Sequence, residues 1–258
     1  MTKIFDALRK SQGASDLNLA QVPADQEFQT IESEPIRPAE IEISPSGLEL
    51  PLEFVRELGT LRSSLDQMLP GRTQKTLLVT GAVGGEGAST VAVALARLLA
   101  EDERVRVALV DADLRGVRRR LPTLDARSGF PGVLGQDLSV EQALVGTTLS
   151  NLAVLPGGIC VDSPLRLCTA DNCRSSFDYL KRHFHYVVVD SPPILEAPEV
   201  TGLIEQADGV IVVVRAARTK REVVQRAIDM LEKMNGRVLG AVLNRRQYII
   251  PEFIYRRI

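Results

Sequence analysis

Short apolar runs alternate with amphipathic segments along residues 76–243, and this alternation predicts a layered α/β domain. Several runs are almost continuously aliphatic, such as VVVD at 187–190, VIVVV at 210–214 and GAVLN at 240–244. Strands that are apolar on both faces are typical of a parallel sheet with helices on both sides. We therefore predict a three-layer, doubly wound, mostly parallel sheet.

The periods of the pattern set the expected elements. Strands are expected at 76–81, 106–111, 152–155, 186–190, 209–214 and 238–243, and helices at 89–101, 139–146, 173–184, 197–206 and 219–235. Folds of this class bind ligands at the carboxyl ends of their strands. Polar residues at those ends are therefore the candidates for chemistry.

Residues 50–245 form the predicted domain, which begins with a helix at 50–69 whose leucines line one side. Residues 13–49 predict a disordered acidic linker, because prolines interrupt every period and Arg37 is the single base. Residues 1–12, MTKIFDALRKSQ, predict a short helix, which is either a frayed terminus or a docking segment for a partner. A tail follows at 246–258.

The bulk composition limits the partners. A formal net charge of −2 gives no basic field for nucleic acid, so we expect no nucleic-acid partner. No apolar run reaches the ~20 residues needed to cross a bilayer, so any membrane role has to come through a partner. Three cysteines without metal-ligand spacing are typical of a reducing, cytoplasmic location.

A glycine-rich loop follows the first predicted strand, in LLVTGAVGGEGAST at 77–90. Its glycines allow the backbone to approach an anion, and the helix that follows offers free N–H groups. The usual pattern ends in Gly-Lys-Ser/Thr, but alanine replaces the lysine here. The alternative is a tight turn without a ligand. The predicted nucleotide-binding residues of the loop are Gly84, Gly85, Glu86, Gly87, Ala88, Ser89 and Thr90, with Ser89 also a metal ligand.

Acidic residues end two of the predicted strands. Asp111 and Asp113 in VALVDADLRG are predicted to face the same side and to act in catalysis, with Asp111 also on the metal. Asp190 ends HYVVVDSPP in the manner of a Walker B strand and is predicted to hold Mg²⁺. The alternative for the Asp111–Asp113 pair is a solvated acidic loop.

Asn244 ends the last predicted strand. Its amide is a candidate for reading a purine edge, and a simple strand-end turn is an equal alternative.

In this order, the motifs resemble those of the bacterial tyrosine kinases of exopolysaccharide and capsule biosynthesis, within the deviant-Walker P-loop ATPases. The matching stretches are GGEGAST at 84–90, VDADLR at 110–115 and HYVVVDSPP at 185–193, and MTKIFDALRKSQ is similar to the opening of stand-alone members. The resemblance implies a P-loop NTPase fold, ATP and Mg²⁺ as cofactors, and a membrane-bound polysaccharide chain-length protein as partner. It also implies homo-oligomeric rings and phosphorylation of C-terminal tyrosines in trans.

Three departures from the family pattern change what the resemblance implies. Ala88 replaces the family's phosphate-binding lysine, and Val83 stands where partition ATPases carry theirs. The tail holds only Tyr248 and Tyr255 as acceptor candidates. The subunit-contact motif Glu-x-x-Arg-x-x-Arg has Gly59 in its third place.

Three functions follow from these features. The first is a cytoplasmic tyrosine-kinase-like regulator of exopolysaccharide synthesis, which binds nucleotide but transfers phosphate slowly or not at all. The second is a non-catalytic pseudokinase that docks on the chain-length protein at the inner membrane. The third is a partition- or septum-type ATPase switch.

Overall fold

The computed structural model describes residues 52–115, 129–158, 160 and 163–245. The strands are β1 (Lys75–Gly81), β2 (Val107–Asp111), β3 (Val145–Gly146), β4 (Leu152–Leu155), β5 (Tyr186–Asp190), β6 (Gly209–Arg215) and β7 (Val238–Asn244). The helices are α1 (Leu52–Met68), α2 (Ala88–Ala100), α3 (Phe130–Leu134), α4 (Val140–Ala143), α5 (Pro164–Leu167), α6 (Ala170–His183), α7 (Val200–Ile204) and α8 (Arg221–Lys233).

The strands form one seven-stranded sheet in the order β3-β4-β2-β5-β1-β6-β7. All neighbours run parallel except β3, which pairs antiparallel with β4. β1 lies between β5 and β6, so the loop that follows β1 emerges near the middle of the carboxyl edge. The predicted α/β class with a mostly parallel sheet is confirmed.

Helices cover both faces of the sheet. One buried cluster joins α1 and α2 to side chains such as Val79, Val188 and Val213, and we call this side the α2 face. The other cluster joins α6, α7 and α8 to side chains such as Val187 and Val212. Successive residues of each strand therefore point to opposite apolar layers, which explains why the strand sequences are continuously aliphatic.

The leucines of α1 fix this helix on the domain. Leu58 and Leu65 are buried, as is Leu69 directly after the helix, and Leu61 packs against the same cluster. The helix runs without interruption through Gly59. Arg62 pairs with Asp102, with 3.4 Å between the guanidinium Nη2 and the carboxylate Oδ2. Arg62, one helical turn after Gly59, thus contacts its own domain.

The helix predicted at 139–146 was wrong in its second half. A capping box between Ser139 and Gln142 starts α4. The helix ends at Ala143 because Leu144 is extended and Val145 pairs with Val154 as β3. Strand pairing at the sheet edge therefore overrides the local helical period. The predicted helix at 197–206 is also shorter, and the pattern did not predict α3 or α5.

The predicted terminal helix 1–12, the linker 13–49 and the tail 246–258 lie outside the described residues. Within the part that is described, no helix combines the length and the apolar character needed to span a bilayer.

Candidate nucleotide site

The glycine-rich loop joins β1 to α2 at the carboxyl edge. Gly85 and Gly87 have φ angles of 85° and 95°, which side chains with a Cβ rarely adopt. Gly87 is the N-cap of α2, with no side-chain cap, and Ala88 is the first helical residue. The first turn also contains no acidic residue. The loop therefore directs the start of a 13-residue helix at any ligand, which favours an anion.

The side chain of Glu86 is directed into the protein. It is only 2% exposed, and its Oε2 accepts a hydrogen bond from the Val83 N–H at 3.0 Å. Its Oε1 accepts one from the Thr219 hydroxyl at 2.5 Å and lies 3.5 Å from the Arg215 N. The carboxylate thus ties the loop to the turn after β6. Glu86 was predicted to bind nucleotide, but in the structure its side chain forms hydrogen bonds within the protein.

Gly81 makes room for this carboxylate. A Cβ built at Gly81 would lie 2.8 Å from Glu86 Oε2. The first glycine of the motif is therefore required by the internal glutamate, while Gly85 and Gly87 serve the turn.

Asn244 makes a second connection to the loop. Its Nδ2 donates to the Glu86 carbonyl at 2.8 Å, and its Oδ1 accepts from the Arg245 N–H at 2.8 Å. A Cβ at Gly87 would collide with this amide. One N–H and one lone pair of the amide are thus used within the protein, and the second of each leaves the purine contact of Asn244 a prediction.

A carboxylate occupies one amide of the loop. Glu196, in the segment after β5, accepts a hydrogen bond from the Gly84 N–H at 2.8 Å through its Oε1. The Gly84 amide is therefore occupied by a negatively charged oxygen of the protein itself. A phosphate at this amide would have to displace Glu196.

Asp111 and Asp190 are neighbours at the carboxyl edge. They end β2 and β5 and are paired in register. Alternation along each strand places both on the α2 face, together with Leu109 and Val188. Asp190 is buried and Asp111 is half-buried. Any side chain at Gly157 would press on the Asp111 carboxylate, since a Cβ there would lie 2.7 Å from Oδ2.

Asp113 has a different environment from Asp111. β2 ends at Asp111, so the strand alternation that predicted a shared direction does not extend to Asp113. The Asp113 carboxylate instead pairs with Arg115, at 3.3 Å between Oδ1 and Nε. Arg115 also lies 3.7 Å from the buried Glu199. The Asp113 N–H also bonds to Asp111 Oδ1 at 3.2 Å, so the two residues are in contact, and their joint catalytic role stays a prediction.

The oxygen donors at the carboxyl edge could supply some, but not all, of the ligands that Mg²⁺ needs. Among residues 52–115, 129–158, 160 and 163–245, no group of three or more His, Cys, Asp or Glu side chains is arranged to hold a metal. Mg²⁺ commonly takes one or two carboxylates and completes its shell with water and phosphate oxygens. Adjacent Asp111 and Asp190, with the Ser89 hydroxyl in the first turn of α2, suit that requirement. Thr90 lies in the same turn and is half-buried.

Comparison with known proteins defines the class. The profile of the AAA domain family matches residues 74–242, so the chain belongs to this class of P-loop proteins. Within it, the chain belongs to the bacterial tyrosine-kinase family. It is 30% identical over 191 residues to Tyrosine-protein kinase YwqD of Bacillus subtilis, covering 72% of this chain and 78% of that protein.

Other relatives are also named as tyrosine-protein kinases. The chain is 27% identical over 210 residues to Tyrosine-protein kinase CpsD of Streptococcus agalactiae, covering 80% of this chain and 88% of that protein. It is 24% identical to Tyrosine-protein kinase ptk of Acinetobacter johnsonii, of which it spans 31%. This domain therefore corresponds to almost all of some relatives and to a minor part of others.

Solved structures share the architecture. The kinase domain of VpsO superposes with a TM-score of 0.64 and 27% identity, over 76% of this chain and 98% of that one. The kinase domain of Escherichia coli tyrosine kinase ETK gives a TM-score of 0.68 at 23% identity, over 76% of this chain and 79% of that one. A plasmid partition protein of Borrelia burgdorferi bound to AMPPNP gives 0.55 at 17% identity, over 72% and 82%. The last two likenesses are of fold alone.

The sequence did not predict the internal contacts of the site. Glu86 was identified from its place in the motif, but its partner Thr219 lies 133 residues away, and Glu196 carries no motif. Such distant residues can be recognised as contact partners of the loop only when the fold that brings the segments together is known. The acceptor candidates Tyr248 and Tyr255 lie outside the described residues.

Proposed function

We propose that this chain is a nucleotide-binding, tyrosine-kinase-like regulator of exopolysaccharide synthesis in which phosphoryl transfer is slow or absent. The observation that carries this proposal is the helix α2 beginning at Ala88, directly after the loop glycine. The residue at that position is the one that would bring a lysine ammonium to the phosphates. Alanine keeps the helix and its N–H groups but removes the charge.

Retention of the remaining parts supports nucleotide binding. The loop keeps its left-handed glycines, and Asp111 and Asp190 stay adjacent at the edge of the sheet. When ATP is bound, Ser89, Asp111 and Asp190 would hold Mg²⁺, which would neutralise phosphate charge. Asp113 would assist the acceptor hydroxyl only after giving up its pairing with Arg115.

An active autokinase is the second candidate, and the intact pair of strand-end carboxylates favours it. Phosphate transfer to Tyr248 or Tyr255 in a neighbouring subunit would then occur within a homo-oligomer. The partition-type switch is not favoured, because Val83 and Ala88 leave the loop without either lysine.

Phosphotyrosine formation tests the proposal. The purified full chain is incubated with Mg²⁺ and ATP, and phosphotyrosine is followed by immunoblot and intact mass. We expect little or no phosphotyrosine over hours, because the transition-state charge lacks a cation. Rapid modification that disappears in the Tyr248→Phe, Tyr255→Phe double variant would establish the autokinase instead.

We also propose that a membrane-bound polysaccharide chain-length protein recruits this chain to the cytoplasmic side of the membrane through residues 1–12. The apolar face of MTKIFDALRKSQ supports this role. Deleting residues 1–12 should abolish co-sedimentation with vesicles that contain such a protein. Deleting an equal length of the linker, residues 20–31, is the control. Equal co-sedimentation of both deletion variants would contradict the docking role.

A further inference from the structure

Three arginines lie together at the carboxyl edge beside the glycine-rich loop. Arg215 is the last residue of β6, Arg218 lies in the turn after it, and Arg245 directly follows β7. Arg215 is paired in register with Asn244. The Arg218 N–H bonds to the Arg215 carbonyl at 3.3 Å, and the Ala216 N–H bonds to the Asn244 carbonyl at 2.9 Å. Backbone contacts therefore hold the three positions close to one another.

The three guanidinium groups have no counter-charge in the part of the chain that is described, where no carboxylate pairs with them. The Glu86 carboxylate lies 3.5 Å from the Arg215 N and accepts hydrogen bonds from the Val83 N–H and the Thr219 hydroxyl. Partial burial and the charges of Arg218 and Arg245 lower the pKa of the Arg215 guanidinium. Arg218 and Arg245 are exposed, so water screens part of their repulsion, and a bound anion would offset the rest.

The position of the cluster relates it to the phosphate loop. Ile211 and Val213 of β6 face α2, and alternation places Arg215 on that same face. The backbone of Arg215 approaches Glu86 in the loop at 3.5 Å. Because β1 lies between β5 and β6, the loop has acids on one side and arginines on the other.

We propose that Arg215, Arg218 and Arg245 form a cationic site for the phosphates of the bound nucleotide and supply the positive charge that Ala88 does not. This inference rests on the proposed nucleotide binding. The acids across β1 would face the metal-bearing side of the phosphates, while the arginines approach from the opposite side. Guanidinium groups suit this role because their planar donors match phosphate oxygens.

The test is titration of the full chain with fluorescent mant-ADP in the presence of Mg²⁺. Replacing all three arginines, in Arg215→Gln/Arg218→Gln/Arg245→Gln, should raise the Kd at least tenfold and flatten its dependence on salt. The matched control is Arg166→Gln/Arg174→Gln/Arg226→Gln, which removes three exposed charges elsewhere and should leave the Kd within twofold. Adding Ala88→Lys to the first variant should restore binding.

A thermal melt separates binding from folding. Removing mutual repulsion should leave the Tm of the first triple variant equal to or above that of the unmodified protein. A Kd within twofold of the unmodified value would overturn the inference while nucleotide binding stands. Binding that is seen only after Ala88→Lys in the otherwise unmodified chain would overturn it too. Absence of binding even then would overturn both this inference and the proposed function.

Discussion

Replacing Ala88 with lysine is expected to tighten binding of MgATP and to accelerate phosphotyrosine formation. A charged hydrogen bond to phosphate contributes about 1.5–3 kcal/mol, which corresponds to roughly tenfold to a hundredfold in Kd. The first-turn position of residue 88 places the new ammonium beside the loop N–H groups. Binding is measured by titration with mant-ATP, and transfer by the rate of phosphotyrosine formation.

Ala170→Lys is the matched control for this substitution. Ala170 is also a half-buried alanine at the first position of a helix, in α6. Both lysines place a positive charge at a helix N-terminus, which costs about 0.3–1 kcal/mol without a ligand. A small loss of Tm in both variants, with tighter binding in Ala88→Lys alone, is the expected pattern. Equal Kd values for the two variants would show that the pocket has lost more than its lysine.

The sheet was predictable because its strands are buried on both faces. The aliphatic runs at 186–190 and 209–214 predict buried strands. The observed strands differ from the predicted bounds by at most one residue. The edge of the sheet was less predictable. The short β3 forms because Val145 and Gly146 pair with β4. The local sequence pattern does not predict this long-range pairing.

The site was predictable where backbone geometry alone defines it. Glycines at 85 and 87, followed by an apolar helix, were enough to predict the left-handed turn and the helix that begins after it. Strand-end residues such as Asp111 and Asp190 become neighbours as soon as the strands pair in parallel. The partners of Asp113 and Glu86 depend on side-chain reach within the folded chain, which periodicity does not encode.

Hydrogen bonds connect the glycine-rich loop to the carboxyl ends of both β6 and β7. Glu86 connects it to Thr219, and Asn244 connects it to the residue from which the tail continues. A displacement of either strand end would therefore strain the hydrogen bonds that hold the loop at Glu86. This coupling gives the internal glutamate a larger role than its place in a binding motif suggests.

Truncating Glu86 to alanine is expected to destabilise the fold and to weaken nucleotide binding. The substitution leaves the half-buried Val83 N–H and Thr219 hydroxyl without their acceptor, and each such loss costs up to about 1–3 kcal/mol. We expect the free energy of unfolding to fall by about 2–5 kcal/mol, a large part of a typical stability. Chemical denaturation measures the loss, and mant-ADP titration at a temperature where the variant is folded measures the binding.

A double-mutant cycle with Thr219→Val assigns the effect to the contact between the two side chains. If the Glu86–Thr219 hydrogen bond fixes the loop, the two substitutions should be non-additive by about 0.5–3 kcal/mol. Thr201→Val, in α7, removes a hydroxyl that donates to the Pro198 carbonyl, and we expect a change of only about 0.5 kcal/mol. Additive losses would mean that Thr219 is not the partner that matters. The loop would then depend on the Val83 contact and on Asn244.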